Sequence, residues 1–434
     1  MLIIATAIII AAVVLMVRRV EVRLVLLGAG LAMALLAGQP LAIADTFTRA
    51  MVTSMVAPIC ASMGFAALMS ATGCDRHLVH ALLAPVRRAR WLVVPGGILA
   101  AYLVNMAVPS QASTAAALGP VLVPLLLAGG HAPVVAGAAL VLGASFGGDL
   151  LNPGAQDVQA IAGVTGVNAA ALSARVIPAS LVGAVVAALV FAFAHGRRKG
   201  GEIQAEPVLH APKDEPALKV HPGKAAIPVV PIALLLAAYA GFSPLAWLVA
   251  PPEGDEWQPL VNALPVVRAM LIGGVLAVLV AWREVVALSR AFFDGMGVAY
   301  GGIISLTITA QCFGAGVAVV GLAEALLRLA TATNALVPLA AGFPWALSTL
   351  SGSGSGPILT FAQTFLTQVS PADEPVTLSA MACLGGAFGR TMSPVSAVVV
   401  YGSGLVGVSP MLVVRRLLPA LAAGGGVALA IALR

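Results

Sequence analysis

Long apolar blocks separated by short polar stretches make up almost the whole chain. A run of about 20 apolar residues crosses the hydrocarbon core of a bilayer as a helix, so blocks of this length predict about ten transmembrane helices. They lie near residues 1–17, 24–43, 52–71, 134–162, 171–194, 226–250, 264–282, 297–320, 376–408 and 417–433. The expected fold class is therefore an all-α membrane protein.

Two further apolar stretches, 91–128 and 334–369, are each interrupted in the middle by small polar residues. The interruptions read SQAST at residues 110–114 and SGSGSG at residues 351–356. Such a break lets the chain turn back toward the side from which it entered the membrane. Each stretch therefore predicts a re-entrant hairpin, with the polar residues at its tip.

Prolines interrupt two of the predicted spans, Pro153 within 134–162 and Pro394 within 376–408. Proline removes a helical hydrogen bond and clashes with the preceding turn, so each span is predicted to be a broken helix. The backbone groups freed by a break inside lipid must be satisfied by protein, water or a ligand.

The hairpins and broken helices recur with the same spacing in the two halves of the chain. The interval from Ser110 to Pro153 equals the interval from Ser351 to Pro394. The match continues beyond each break, where an arginine and then a proline follow at equal distances in the two halves. The predicted span count places the two arginines on opposite sides of the membrane, so the halves form an inverted repeat. Inverted repeats with interrupted helices at matching positions indicate a secondary transporter.

The repeat predicts a chain of two transmembrane halves and a linker. The N-terminal half covers 1–194 with the hairpin 91–128, and the C-terminal half covers 226–434 with the hairpin 334–369. The segment 195–225 between them is polar and rich in proline, as a flexible cytoplasmic linker would be.

Composition and charge agree with an embedded chain. Only 9% of the 434 residues are charged and 60% are hydrophobic, whereas a soluble domain carries about 25% charged residues. The net charge of +6 does not indicate nucleic-acid binding, because the basic residues sit in short clusters between spans, as orientation signals do. The distribution of these clusters predicts a bacterial inner-membrane protein with both termini in the periplasm.

The hairpin tips and breaks supply the residues expected to bind a substrate. Hydroxyls, bare glycine amides and the helix N-terminus after each tip suit a carboxylate. Small residues also favour close helix packing, but their occurrence at two matched positions favours binding. The predicted substrate-binding residues are Ser110, Gln111, Ser113, Thr114, Asn152, Ser351, Gly352, Ser353, Gly354, Ser355, Arg390, Thr391 and Ser393.

Arg390 is the most informative of these residues. A charge in the middle of a membrane costs about 2.5–3.5 kcal/mol on insertion scales and marks function. Arginine binds carboxylates through two parallel hydrogen bonds, so Arg390 is expected to contact the substrate. Its alternative role is as a structural partner of Asp157 or Asp149. These two aspartates are the candidates for carrying a coupling proton, with Asp157 favoured, although one of them could cap a helix.

Several stretches resemble the DcuC family of anaerobic C4-dicarboxylate transporters, within the ion-transporter superfamily. The strongest are Gly389 to Ser396 (GRTMSPVS), Gly352-Ser353-Gly354, Gly64 to Ala67 (GFAA), and Pro153 with Asp157. The resemblance implies an inner-membrane carrier of succinate, fumarate, malate or related dicarboxylates, working by exchange or proton-linked symport. It also implies that hairpins and broken helices from both halves meet at a central site that moves by an elevator-like motion.

Three residues at this site depart from the family pattern. Gln111 is bulkier than the small residues expected at a tip, Gln156 stands where glycine is more usual, and Asp149 has no clear counterpart. Because these departures lie at the predicted site, they bear on which substrate is bound and not on the fold.

Other functions compete with dicarboxylate transport. Within carriers, a monocarboxylate, short-chain fatty acid or peptide-fragment substrate is the main alternative. A channel is disfavoured because polar residues concentrate at four breaks rather than along a pore. An enzyme is disfavoured because HExxH and phosphate-binding loops are absent from the sequence and no histidine lies in the middle of a predicted span. The expected partners are a small organic anion, a coupling proton or sodium ion and the lipid bilayer, with no cofactor, metal or nucleic acid. A homodimer is an open alternative to a monomer.

Overall fold

Apolar runs, and the glycines and prolines between them, divide the chain into helices. The computed structural model describes residues 1–18, 20–54, 56–86, 92–195, 219–252, 263–322, 324–325, 328, 332–333, 335–369 and 375–434. Within these residues the regular structure is helical and no strand occurs. The helices are α1 Leu2–Val17, α2 Val22–Leu36, α3 Leu41–Ala50, α4 Val56–Thr72, α5 Cys74–Val86, α6 Val93–Ala107, α7 Gln111–Ala128, α8 Pro133–Ser145, α9 Gln156–Thr165, α10 Ala169–His195, α11 Pro222–Ala226, α12 Val230–Tyr239, α13 Ala246–Val249, α14 Leu264–Val280, α15 Val285–Val298, α16 Ser305–Val319, α17 Leu336–Ser351, α18 Ser355–Thr364, α19 Pro375–Thr391, α20 Ala397–Leu405 and α21 Pro410–Ala432.

Many of these helices are apolar enough to lie in a membrane. Six helical stretches of the described chain are long enough to cross it, or seven if α4 and α5, bent by 75° at Gly73, count as one span. The helices α1, α2, α6, α14 and α17 are apolar but shorter. An all-helical membrane protein is therefore confirmed, whereas the number of ten spans stays a prediction.

Three predicted spans differ in extent from the helices that form. The span 24–43 is divided, because Gly38 takes a left-handed φ of 72° and ends α2 before α3 begins. The span 226–250 is also interrupted, because its helix ends just before Gly241, where φ is 83°. The span 297–320 extends further toward the N-terminus, through a π-helix at Ala299–Ile304 into α15.

Both predicted hairpins consist of two helices with a break at the polar tip. In the first hairpin α6 ends at Ala107 and α7 begins at Gln111. In the second, α17 ends at Ser351 and α18 begins at Ser355. The glycine after α17, Gly352, has a left-handed φ of 75°, which a residue with a side chain rarely adopts.

The two predicted broken helices are also interrupted where expected. The helix α8 ends at Ser145, a short 3₁₀ turn follows at Asp149–Leu151, and α9 begins at Gln156. The helix α19 ends at Thr391 and α20 begins at Ala397. The residue numbers at the starts of α9 and α20 differ by the same amount as those at the starts of α10 and α21. We call this common difference in residue number the repeat offset.

Two glycines separated by the repeat offset contact each other. A Cβ on Gly183 of α10 would lie 2.6 Å from the carbonyl oxygen of Gly424 in α21. A Cβ on Gly424 would lie 2.3 Å from the carbonyl oxygen of Gly183. The helices α10 and α21 therefore approach each other backbone to backbone at these glycines.

The apolar side chains form separate clusters that divide the helices. The largest cluster joins α5–α10 with α17–α21 and so contains both hairpins and both breaks. A second cluster joins α1, α2 and α16, and includes Ala160 of α9 and Leu359 of α18. A third joins α4 with α12, α14 and α15. The polar tips and breaks are therefore held by one core, with α9 and α18 packing against its neighbour.

The contact between α10 and α21 predicts different tolerance at two glycines of α21. We expect Gly424→Ala to lower stability by about 1–3 kcal/mol, because the added methyl group meets backbone at a distance that neither helix can absorb without moving. Gly426→Ala has no atom within 4 Å of its new Cβ and should be neutral or stabilising. Apparent melting temperatures of the two purified variants in detergent would check this, and equal values would contradict the close contact.

Candidate functional site

Both hairpin tips reach one cavity of about 270 Å³. Gln111 and Ala112 of the first tip and Gly352, Ser353, Gly354 and Ser355 of the second tip form part of its wall. The breaks and the π-helix region complete the wall, through Gln156, Gly302, Ile303, Leu306, Arg390, Ser396, Ala397 and Val398. The four interrupted elements that the sequence singled out therefore converge on one space.

The hydroxyls of the first tip mainly hold the tip together. Ser110 caps α7, since its Oγ accepts a hydrogen bond from the Ser113 N–H at 3.4 Å. The Ser110 hydroxyl also donates to Ser113 Oγ at 2.9 Å. Thr114 is fully buried and donates to the carbonyl of Val108 at 3.3 Å. The residues of this tip that face the cavity are Gln111 and Ala112 instead.

The second tip brings bare backbone against the cavity and against Arg390. A Cβ on Gly354 would lie 2.6 Å from Arg390 Nη1, so the guanidinium occupies the place that a side chain would take. A Cβ on Gly352 would lie 2.9 Å from the amide nitrogen of Ser396. Ser351 Oγ accepts from the Ser353 N–H at 3.3 Å and so stabilises the turn. Glycine at 352 and 354 is thus required for the close approach of tip and break.

Arg390 lies in the last turn of α19 between two carboxylates. Its Nη1 donates to Asp157 Oδ2 at 3.3 Å, and its Nη2 lies 3.7 Å from Asp149 Oδ2. Arg390 is only 6% exposed, and both aspartates are buried. Within the part of the chain that the structure describes, Arg390 Nε and Nη2 have no hydrogen-bond partner. Buried charged donors without partners are costly.

The two aspartates connect Arg390 to the two tips. Gln111 Nε2 donates to Asp149 Oδ2, and Ser355 Oγ donates to Asp157 Oδ1. The resulting chain of contacts runs from the first tip through the first break to Arg390 and on to the second tip. The structure thus brings together Gln111, Asp149, Arg390, Asp157 and Ser355, which lie far apart in the sequence.

Three other predicted binding residues lie outside the cavity wall. Asn152 donates to the carbonyl of Met106 at 3.2 Å and accepts from the Gly154 N–H at 2.8 Å, which stabilises the first break. The Thr391 hydroxyl lies 2.6 Å from the carbonyl oxygen of Ser145. Ser393 is fully buried beside them. Asn152 and Thr391 thus satisfy backbone groups near the breaks, whereas the Ser393 hydroxyl has no hydrogen-bond partner among the described residues.

The sequence did not assign two cavity residues, Gln156 and Ser396, to the substrate. Each stands at the start of the helix that follows a break, and Gln156 Oε1 and Ser396 Oγ are buried without a hydrogen-bond partner among the described residues. Their position next to the prolines was the available signal. A weaker signal exists for the π-helix that contributes Gly302 and Ile303, namely the glycine pair Gly301-Gly302. Such π turns often occur at functional sites.

The helices and the cavity define the class of an integral membrane transport protein. Comparison with known families then makes the assignment specific: residues 42–432 match the family described as DcuC, the C4-dicarboxylate anaerobic carrier, and the chain belongs to this family. The resemblance seen in the sequence is confirmed. The family consists of transporters, so the chain is not an enzyme.

Individual proteins are similar to this chain at modest identity. A putative uncharacterized transporter of Haemophilus influenzae is 38% identical over 130 residues, which is 30% of this chain and 90% of that one. The anaerobic C4-dicarboxylate transporter DcuC of Escherichia coli K12 is 27% identical over 169 residues, 37% of each chain. The crystal structure of the Alcanivorax borkumensis YdaH transporter superposes with a TM-score of 0.62 at 18% identity, covering 90% of this chain and 86% of that one. The structural likeness shows a shared fold.

The contacts of Thr391 predict a role in stability. We expect Thr391→Val to lower the free energy of unfolding by about 1–3 kcal/mol, because the valine leaves buried polar atoms of Ser145 without their partner. The matched control is Thr48→Val, whose exposed hydroxyl bonds only within its own helix. Thermal unfolding of both variants in detergent would measure this, and an unchanged Thr391→Val protein would contradict the structural role.

Proposed function

We propose that this protein is a secondary active transporter of small organic anions, with C4-dicarboxylates such as succinate, fumarate and malate as the leading substrates. Transport proceeds by alternating access, as exchange or as proton-linked symport. Membership in the DcuC family supports the substrate class. The observation that carries the proposal is buried Arg390, which lines the cavity and has two nitrogen atoms without a hydrogen-bond partner within the part of the chain that the structure describes.

The cavity suits an anion of this size. Pockets of about 300–1,000 Å³ hold drug-sized molecules, so about 270 Å³ fits a smaller metabolite. One carboxylate would bind Arg390 Nε and Nη2. A second would lie at the other side of the wall, near the hydroxyl of Ser353 and the amides at the start of α18. Gln156 and Ser396 would add hydrogen bonds from the breaks.

Alternating access rests on the proposed inverted repeat. The repeat offset shared by two pairs of helix starts, and the contact of Gly183 with Gly424, support the repeat. The core that holds tips and breaks would move as one body against the cluster of α1, α2 and α16. Ala160 of α9 and Leu359 of α18 lie at that boundary. The motion would expose the cavity to each side in turn.

The proposed repeat also implies an orientation in the bacterial inner membrane. The halves 1–194 and 226–434 would be joined on the cytoplasmic side by the linker 195–225, with both termini in the periplasm. Residues 196–218 of this linker lie outside the described residues, and the helix α11 begins at Pro222.

A monocarboxylate or short-chain fatty acid is the second candidate substrate. The observation that favours it is the unequal contribution of the two tips. The second tip presents Ser353 and the bare backbone of Gly352 and Gly354 to the cavity, whereas the first presents Ala112 and Gln111, whose amide is already bonded to Asp149. A site with one well-equipped tip suits a substrate with one carboxylate.

Substitution of Arg390 tests the proposal. Arg390→Ala should abolish transport, and Arg390→Lys should weaken substrate affinity at least about tenfold, because lysine keeps the charge but loses the paired donors. Arg290→Ala, at an exposed arginine of α15, is the control. The measurement is counterflow of radiolabelled succinate in proteoliposomes, repeated against mono-, di- and tricarboxylates with and without sodium.

Two outcomes of that experiment would reject parts of the proposal. Counterflow by Arg390→Ala at the rate of the unmodified protein would remove Arg390 from the site. Competition by monocarboxylates but not by dicarboxylates would replace the leading substrate class with the second one.

A further inference from the structure

We propose that Asp149, rather than Asp157, is the residue whose protonation controls anion binding at Arg390. This inference rests on the proposed anion site and adds the group that links it to the proton. Both aspartates are buried against the same guanidinium. Their hydrogen bonds differ, and the difference separates a permanently charged partner from one that exchanges a proton.

Asp157 has the surroundings of an ionised carboxylate. Its Oδ2 accepts from Arg390 Nη1 at 3.3 Å, and its Oδ1 accepts from the Ser355 hydroxyl. Each oxygen therefore has a donor, one of them charged. Hydrogen bonds of this kind favour the charged form of a buried carboxyl group. Asp157 thus serves as the fixed counter-ion of Arg390 and as the anchor of the second tip.

Asp149 has surroundings that suit a neutral carboxylic acid. Its Oδ2 accepts from Gln111, but it lies 3.7 Å from Arg390 Nη2, beyond a hydrogen bond. Its Oδ1 is buried without a hydrogen-bond partner among the residues described. A carboxylate with a bare buried oxygen pays a large desolvation cost, which a proton on that oxygen reduces.

The groups around Asp149 leave it as the natural site for a proton. Arg390 and Cys383 of α19, Asp157 of α9 and Tyr102 of α6 are the titratable or charged groups that act on it. With both aspartates ionised, they place two negative charges around one positive charge. Tyr102 donates to Ser180 Oγ at 2.7 Å and is a neutral neighbour. An incoming anion would therefore meet a net negative cluster unless one aspartate is protonated.

Protonation of Asp149 would make room for the anion in two ways. It removes one negative charge from the cluster, and it ends the attraction that draws Arg390 Nη2 toward Asp149. Nη2 and Nε are then both available to one substrate carboxylate, since Nη1 remains with Asp157. By linkage, the bound anion stabilises the proton on Asp149 as much as the proton stabilises the anion. Proton and anion would cross together and leave together.

The position of Asp149 in the repeat agrees with this role. Asp149 and Arg390 are separated by the repeat offset that relates the starts of α9 and α20. They would be equivalent positions of the two halves, one acidic and one basic. Asp149 lies in the 3₁₀ turn of the first break, and Gln111 ties it to the first tip. A change of its charge therefore acts on both the site and the tip.

The test compares Asp149→Asn with Asp157→Asn in proteoliposomes. Fumarate is the probe, because its two carboxyl groups are ionised from mildly acidic to alkaline pH. In the unmodified protein, affinity should fall with rising pH, approaching about tenfold per pH unit for one linked proton. Asp149→Asn imitates the protonated state, so its affinity should be high and independent of pH. Its downhill exchange should persist, and accumulation driven by a proton gradient should be lost.

The matched variant, Asp157→Asn, should keep the fall of affinity with rising pH, because Asp149 still exchanges its proton beside Arg390. A slope in Asp149→Asn equal to that of the unmodified protein would overturn the inference, as would loss of the slope in Asp157→Asn alone.

A second measurement needs no substrate and therefore stands apart from the proposed function. Infrared difference spectra, recorded above the pH at which exposed carboxyl groups titrate, should show a carboxylic-acid C=O band in the unmodified protein and in Asp157→Asn that is missing in Asp149→Asn. Gln111→Ala removes a donor to the charged form, so the midpoint of this band should move to higher pH. This variant serves if Asp149→Asn fails to fold.

The two measurements separate the possible failures. If the unmodified protein transports no organic anion but shows the band assigned to Asp149, the proposed function fails and the protonation site stands. If transport occurs and the band is absent, persists in Asp149→Asn or ignores Gln111→Ala, the inference about Asp149 fails alone.

Discussion

A guanidinium enclosed by helices must be neutralised, and the arrangement around Arg390 meets that requirement with groups from distant parts of the chain. The insertion of a charge in mid-membrane costs several kcal/mol when it is unpaired. Removal of one partner from a buried ion pair costs about 3–5 kcal/mol, because the other charge is left uncompensated. The contacts of Arg390 with Asp157 and Asp149 therefore hold α19 against the first break. Gln111 and Ser355 extend this constraint to the two tips.

Small residues make the convergence sterically feasible. Gly148 and Gly389 are again separated by the repeat offset. Cβ atoms on these two glycines would lie 2.3 Å from the Tyr102 carbonyl oxygen and 2.2 Å from the Trp345 carbonyl oxygen, respectively. The first helix of each hairpin thus packs against the backbone of the following broken helix at an equivalent glycine. Between helices in lipid, close backbone approach through glycine supplies the packing energy that the hydrophobic effect does not. The polar chain and the glycine contacts depend on each other, since side chains at these glycines would separate the charges.

The sequence was most informative where a local rule was broken. Polar residues within apolar stretches predicted the breaks between α6 and α7 and between α17 and α18, and prolines predicted the breaks after α8 and α19. The lone arginine within an apolar span lies at the cavity wall. The sequence could not show which of the other polar side chains face the cavity and which stabilise the breaks. Asn152 and Thr391 brace the breaks, because a short polar side chain next to a broken helix competes for the freed backbone groups. The π-helix beside the cavity has no comparable sequence rule, since it differs from an α-helix by one inserted residue.

Asp149 and Arg390 are separated by the repeat offset and carry opposite charges, so the proposed repeat would be asymmetric at its centre. If both halves carried arginine at the position of Asp149 and Arg390, two buried cations would repel each other at the centre, and two aspartates would repel likewise. One acidic and one basic residue attract each other across the centre. When Asp157 is included and both aspartates are ionised, the cluster carries one negative charge in excess. In the proposed scheme, protonation of Asp149 removes this excess negative charge and lets an anion bind Arg390. Under the same proposal, this charge arrangement ties substrate binding to a proton without any further residue.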